Sequence, residues 1–386
     1  MMIFKILFRN AFHNKLRSGL TILGIAVAIL AFGLLRTVIS SWYAGVEAAS
    51  TSRLVTRNAI SIIFPLPISY KEKIRQIEGV KIVSYGNWFG GIYIDEKNFF
   101  ANFCVDTKTY FDLYPEFVLD SLQKKAFLAD RKGFVAGRKL AAKYGWKIGD
   151  TVTLKGTIIY FGNWDFVLRG IYHGRDETVD ESQFFFSWDY YNETMKKIAP
   201  RWADKVGFYL VGVVRPDVAP DTAIAIDKAF KNSLAETLTE TEKAFNQGFI
   251  AMSGAIVTAI QMVSFVVIII IMAVVANTMA MTTRERTGDY AIMKTLGFGG
   301  KDITILIFGE SLVITLTGCA IGMILTFPAT KAFGSSLANF FPTFIVSTDT
   351  LYYDVLAAIL IAFLAAIIPT RHAIRIRIAD GLRRIG

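Results

Sequence analysis

Arg284, Glu285, Arg286, Asp289 and Lys294 fall inside MTTRERTGDYAIMKTLGFG (281–299), a helix-forming stretch set between two apolar runs. Mixed charge at that density between two membrane spans suits a surface gripped from outside the bilayer rather than a centre that makes or breaks bonds. Reactive groups are otherwise scarce. His13, His173 and His372 fall on two sides of the membrane in the topology below, so they build no common metal site. Cys104 lies in a soluble-looking region and Cys319 in an apolar run, which argues against a disulfide or a cysteine zinc site. The text nearest to a phosphate loop, Gly297-Phe298-Gly299-Gly300-Lys301-Asp302, lacks the first glycine and the magnesium-holding hydroxyl of G-x-x-x-x-G-K-[ST]. Neither G-x-S-x-G nor H-E-x-x-H occurs. The chain is expected to be no enzyme by itself, with no catalytic, cofactor or metal residues.

Two further features lie in the apolar runs. Glu310 sits roughly 12 Å into the third run, by helical rise from Asp302. It is either a polar contact that couples helix movement or a carboxylate hydrogen-bonded near the interface for packing alone. Gly318 and Gly322 form a G-x-x-x-G pattern, which lets helices approach closely, within the chain or at a dimer face.

The elements that must hold these residues are membrane helices. Hydrophobic residues make up 53% of the 386 and charged residues only 19%, and mean hydropathy is +0.43. A soluble domain is usually ~45–50% apolar and ~25% charged. The net charge of +10 is localised. Residues 43–248 hold 27 Lys and Arg against 25 Asp and Glu, and the remainder 15 against 7. The excess lies beside the apolar runs, where it orients spans; nucleic-acid binding is not expected.

The segmentation reads as a basic amphipathic helix (1–18), spans at 19–42, 249–281, 303–327 and 351–369, a cytoplasmic helix and loop (282–302), a short outer loop (328–350) and a basic tail (370–386). Gly19–Leu35 covers roughly 25 Å, enough to cross if Arg36 snorkels, and it is too long for a cleaved signal peptide. Residues 43–248 read as a soluble α+β domain, with strands at Ile92–Ile94, Thr151–Leu154, Phe166–Ile171 and Phe208–Val214 and helices at Tyr70–Gly79 and Pro220–Lys243. Asp227 to Met281 is expected to run as one helix from that domain into the second span. Trp88, Phe89, Tyr93, Phe99, Phe100, Phe184, Phe185, Phe186 and Trp188 read as core, or else as an apolar ligand surface. The fold class is thus integral membrane α-helical, with four transmembrane helices and a large extracytoplasmic α+β domain between helices 1 and 2. Positive charge puts the N-terminal segment, the 281–302 loop and the tail together in the cytoplasm.

Several stretches then resemble one family, the FtsX-like permeases of ABC transporters. FRNAFHNKLRSGLTILGIAVAI is similar to the family's first helix, with Asn14, Lys15, Leu16, Arg17, Ser18, Leu23 and Gly24 in step. Glu285-Arg286-Thr287 and Leu296-Gly297 match a cytoplasmic segment that reads E-R-T-x-E-I-G-x-x-[RK]-x-L-G. Asp289 stands for its second acid and Lys294 at its basic position, while Tyr290 and Ala291 replace Ile and Gly. Glu310, Gly318 and Gly322 fall where the family has a glutamate and small residues. Pro369-Thr370-Arg371 and Ala373 resemble its tail, with ADGLRRI in place of P-[IV]-E-A-L. GFVAGRKLAAKYGWKIGDTVTLKG, with Phe166–Gly170, resembles the core of a MacB-type periplasmic domain.

The resemblance implies a permease of the bacterial inner membrane that dimerises with itself or a related permease and docks a separate ABC ATPase, which would bind ATP and magnesium. ATP-driven movement would pass by mechanotransmission to the outer domain and drive export or extraction of a hydrophobic or lipid-like substrate. A periplasmic adaptor or lipoprotein and membrane lipids are the other partners implied. The implied ATPase-coupling residues are Arg284, Glu285, Arg286, Thr287, Asp289, Ile292, Met293, Lys294, Leu296 and Gly297. The alternatives are an FtsX-like signal transducer acting on an outer partner such as a cell-wall hydrolase, and a membrane scaffold without ATPase coupling.

Overall fold

Four helices of the computed structural model are long and apolar enough to cross a membrane, at Lys15–Val46, Gly254–Glu285, Gly300–Gly334 and Thr348–Arg375. The structure describes residues 11–376 except 13, 48, 99, 158–161, 338–340 and 342. The tail beyond Ile376, most of the N-terminal amphipathic helix, His13 and Phe99 therefore lie outside the described residues. The chain divides into two compact units, one of residues 1–42, 253–336 and 344–386, the other of 43–252 and 337–343.

In chain order the longer helices are α1 (Lys15–Glu47), α2 (Ala219–Ala229), α3 (Glu242–Met252), α4 (Gly254–Glu285), α5 (Thr287–Thr295), α6 (Gly300–Leu337) and α7 (Thr348–Arg375). Three span helices outrun their apolar stretches at both ends, because polar residues at a helix end are solvated outside the hydrocarbon without breaking the backbone ladder. α4 does so only at Glu285 and starts at Gly254, inside the expected span 249–281. The fourth span does not end at Pro369, which lies inside α7. Within a bundle a proline's freed carbonyl is satisfied by neighbouring groups, so the helix continues. Pro328 is likewise inside α6.

The other unit is built on a ten-stranded sheet. Its strands are β1 (Arg53–Asn58), β3 (Val80–Trp88), β4 (Asn102–Val105), β5 (Phe117–Val118), β6 (Gly133–Gly137), β7 (Thr151–Lys155), β8 (Asn163–Gly174), β9 (Phe184–Ser187), β11 (Phe208–Val213) and β12 (Thr237–Thr241). They lie in the order β12-β1-β11-β3-β4-β9-β6-β8-β5, and β7 pairs with β8. A separate ribbon pairs β2 (Leu66–Pro67) with β10 (Lys205–Val206). Alternation sends Leu54, Cys104, Phe184 and Phe186 into one core and Val55, Val105 and Phe185 into the other. The aromatic residues are mostly core: Phe89, Phe100, Phe184, Phe185, Phe186 and Trp188 are buried, while Trp88 is exposed.

Three sequence expectations fail here. Ile92–Ile94 is a single bridge from Ile92 to Lys155, and Ile94 has a left-handed φ of 63°, incompatible with a strand. The helix at Tyr70 stops at Arg75. No continuous helix runs from Asp227 to Met281. α2 ends at Ala229, Asn232 turns left-handed (φ 59°), and Thr237–Thr241 pairs with β1. TLTET has no helix-breaking residue, but its β-branched alternation fits a pleated edge. Asp227 also takes hydrogen bonds from the Thr237 and Thr239 hydroxyls and from the Thr239 amide.

At the start of α3, Glu242 is tied to the sheet. Arg53 Nε lies 2.7 Å from Glu242 Oε2 and its Nη2 2.6 Å from Glu116 Oε1. The Tyr114 hydroxyl donates to Glu242 at 3.0 Å, as does the Ser50 amide just past α1. Burial, foremost, holds the Tyr114 phenol well above its ordinary range.

Candidate functional site

The charged segment is two pieces of helix with defined ends. α4 runs through Arg284 to Glu285, Arg286 forms the corner, and α5 begins at Thr287, whose hydroxyl donates back to the Arg284 carbonyl at 2.7 Å. α5 ends in a glycine cap. Gly297 is left-handed (φ 92°), its amide bonds the Lys294 carbonyl, and the Phe298 amide bonds the Met293 carbonyl. That 6→1 and 5→2 pair is the Schellman arrangement, and it accounts for Leu296-Gly297 without any ligand. The Gly299 amide then donates to Asp302 Oδ2 at 2.8 Å, closing the first turn of α6. The glycine text nearest to a phosphate loop is therefore a helix stop followed by a helix start.

α5 is two-faced. Thr287, Tyr290 and Ala291 point inward, with Tyr290 only 2% exposed, and Met293 packs on the same core. Both positions that depart from the family text, Tyr290 and Ala291, are thus turned away from any partner. Burial, the largest influence, pushes the Tyr290 phenol up to about 12. The outer side presents Arg284, Glu285, Asp289, Ile292, Leu296 and Gly297, with Leu296 72% exposed. Phe298, at 46% exposure, extends this surface and has no counterpart in the sequence prediction. Its signal was a large aromatic placed between glycines.

Three polar ties root the segment. Arg286 Nη1 lies 3.0 Å from Glu310 Oε2 on α6, which brings together two residues singled out separately in the sequence. Glu310 is thus a buried ion-pair partner of the segment itself. Arg286 Nε also reaches Asp289 Oδ2 at 3.5 Å. Arg17 of α1 makes two parallel bonds to Glu285, at 2.7 and 2.6 Å. Lys294 Nζ donates to the carbonyls of Ile374 and Ile376 at 2.7 and 2.8 Å, capping the end of α7. Ile292, Leu296 and Phe298 are held out from a frame fixed to three other helices.

Gly318 and Gly322 do not form an open dimer face. A Cβ on Gly318 would lie 2.7 Å from Ile25, and one on Gly322 would lie 2.8 Å from the Ala26 carbonyl oxygen and from Ile29. The small-residue stripe is occupied by α1 of the same chain, because backbone-to-backbone contact there leaves no room for a side chain. No group of three or more His, Cys, Asp or Glu able to hold a metal occurs among the described residues.

Comparison with known proteins follows the same lines. Residues 261–378 match the family described as FtsX-like permease C-terminal. An uncharacterized ABC transporter permease of Methanocaldococcus jannaschii is 24% identical over 342 residues, covering 82% of this chain and 81% of that protein. The periplasmic region of MacB from Actinobacillus actinomycetemcomitans is similar at 12% identity and a TM-score of 0.37, covering 53% of this chain and 95% of that one. The extracellular domain of the noncanonic ABC-type transporter YknZ from Gram-positive bacteria gives 12% identity and 0.34, covering 49% of this chain and 100% of its own length. The chain thus carries an FtsX-like permease domain over residues 261–378 and is homologous, across most of its length, to an ABC transporter permease.

Proposed function

We propose that this permease takes its work stroke from a separate ATPase subunit docked on α5 and the loop after it. The observation that carries the reading is the exposed apolar trio Ile292, Leu296 and Phe298, flanked by Arg284 and Asp289. Exposed leucine and phenylalanine on a charged membrane-edge helix are costly unless covered, and a groove on a partner covers them. The ties through Arg17, Arg286 and Lys294 make the segment a rigid handle, so that a push on α5 moves α1, α6 and α7 together. ATP and magnesium belong to the partner in this reading. The permease lies in the cytoplasmic membrane with both termini and α5 inside and works beside a second copy or a related permease.

The cargo in this reading is hydrophobic or lipid-like. Support comes from a cavity of about 1200 Å³ within the outer unit, lined by Trp88, Phe103, Phe208, Phe245 and Phe249 among others. A cavity of this size, lined by these rings together with Arg53, Glu116, Arg175 and Glu242, takes an apolar molecule that carries a polar group. The Arg53–Glu242 tie on its wall links that space to the start of α3, which leads to the second span.

The test is co-purification. The full-length permease, expressed with its candidate ATPase, should retain that subunit through affinity purification. Ile292→Asp/Leu296→Asp should weaken retention by about 30-fold or more, the equivalent of an interface hot spot of about 2 kcal/mol. Undiminished retention and undiminished ATP hydrolysis in the double variant would rule out docking at α5.

A further inference from the structure

The bundle contains a carboxyl group that the coupling account does not use. Asp354 lies six residues into α7, about 9 Å along its axis. It is 0% exposed, and neither carboxyl oxygen has a hydrogen-bond partner among the described residues. Gly33 of α1 and Thr326 of α6 close in on it. A Cβ at Gly33 would lie 3.4 Å from Asp354 Oδ2 and 3.1 Å from the Thr326 side chain, so glycine leaves the space that the carboxyl fills. The Thr326 hydroxyl hydrogen is already given to the Gly322 carbonyl at 2.9 Å. Cys319 donates weakly to the backbone oxygen of Asp354, not to its carboxyl. α4, which packs on α7, has no ionisable residue between Gly254 and Thr283. One cation is near: Arg36, one turn beyond Gly33, lies over the Tyr353 ring at 4.3 Å, and its buried Nε is also unpartnered.

A carboxylate in this position would carry full charge without a single donor, which costs several kcal/mol in an apolar medium. A carboxylic acid there carries none. We propose that Asp354 is a proton-binding site of the membrane bundle, holding a proton in this conformation and releasing it when Arg36 leaves Tyr353 to pair with it. In the release step the carboxyl O–H bond breaks and the proton passes to water at the nearer membrane face. The carboxylate then accepts N–H bonds from the guanidinium, whose own charge is unchanged. Arg36 stays singly positive throughout, and the bundle loses one positive charge. The site joins α1, α6 and α7, so its proton occupancy is linked to the packing of those helices. The proton site on Asp354 is independent of which partner binds α5.

Infrared spectroscopy of the full-length permease in lipid nanodiscs tests it. Wild type should show a protonated-carboxyl band at neutral pH that Asp354→Asn lacks, the amide being isosteric with the acid. Raising the pH should discharge the band in wild type, while Arg36→Gln keeps it over the same range. Selective carbon-13 labelling of aspartate in wild type and Arg36→Gln reads the same band without any Asp354 variant, should that variant not fold. Identical carboxyl spectra for wild type and Asp354→Asn at every pH would overturn the site. Parallel discharge in wild type and Arg36→Gln would remove Arg36 from it.

Discussion

Cutting the Arg286–Glu310 pair is the perturbation with the most definite consequence. The two side chains are 14% and 5% exposed and meet at 3.0 Å, as a buried ion pair. Removing one partner of a buried pair costs about 3–5 kcal/mol. Asp289 cannot substitute: it is 61% exposed and 3.5 Å from Arg286 Nε, a contact worth under about 1 kcal/mol. Arg286→Met and Glu310→Leu should therefore each destabilise the protein by about 3 kcal/mol or more. The double variant, which leaves no buried charge, should recover most of the loss, giving a coupling energy of about 3 kcal/mol in a double-mutant cycle. Equilibrium unfolding of the full-length protein in a fixed detergent measures all four corners. Single variants within about 1 kcal/mol of wild type, with additive effects, would refute the idea that this pair roots the segment to α6.

Other outcomes follow from the same geometry. Gly318→Leu should lower bundle stability by about 1–3 kcal/mol through its clash with Ile25, with any effect on oligomeric state secondary; a dimer lost at unchanged melting temperature would contradict this. Arg53→Met should cost about 3–5 kcal/mol in tryptophan-monitored unfolding, because Glu116 and Glu242 then share a buried site without a cation; a cost below about 1 kcal/mol would show that the tie is dispensable. The Tyr290 phenol is raised from 10.0 to about 12, so its neutral form favours the folded state fully below the ordinary value. As pH rises through about 12 wild type should therefore lose roughly 2–3 kcal/mol relative to Tyr290→Phe, and parallel pH profiles would place the phenol in water.

The membrane architecture was legible because four apolar runs long enough to cross leave a chain few alternatives. Helix ends were not, since solvated residues such as Lys15 and Arg375 continue a helix without any hydropathy signal. β12 was missed because Thr237–Thr241 is compatible with helix on local grounds. Its pairing with β1, nearly two hundred positions away, decides the matter. The same holds within the site. Glu285 and Glu310 were visible as charges in a telling place, yet Arg17 lies 268 positions from its partner, and only the packing of α1 beside α4 brings the two together. The glycine pair announced close helix contact but could not say with which helix. Tyr290 and Ala291 stand in the sequence only as departures from the family text, and their burial places them under the segment's exposed face.

The central claim is that a partner sits on the outer face of α5, and site-specific photo-crosslinking tests it most directly. A photoreactive residue at Leu296, in the permease assembled with its ATPase in membranes, should capture the ATPase subunit. The same residue at Tyr290 should capture only segments of the permease itself. Capture of the ATPase from neither position, or equally from both, would contradict the account.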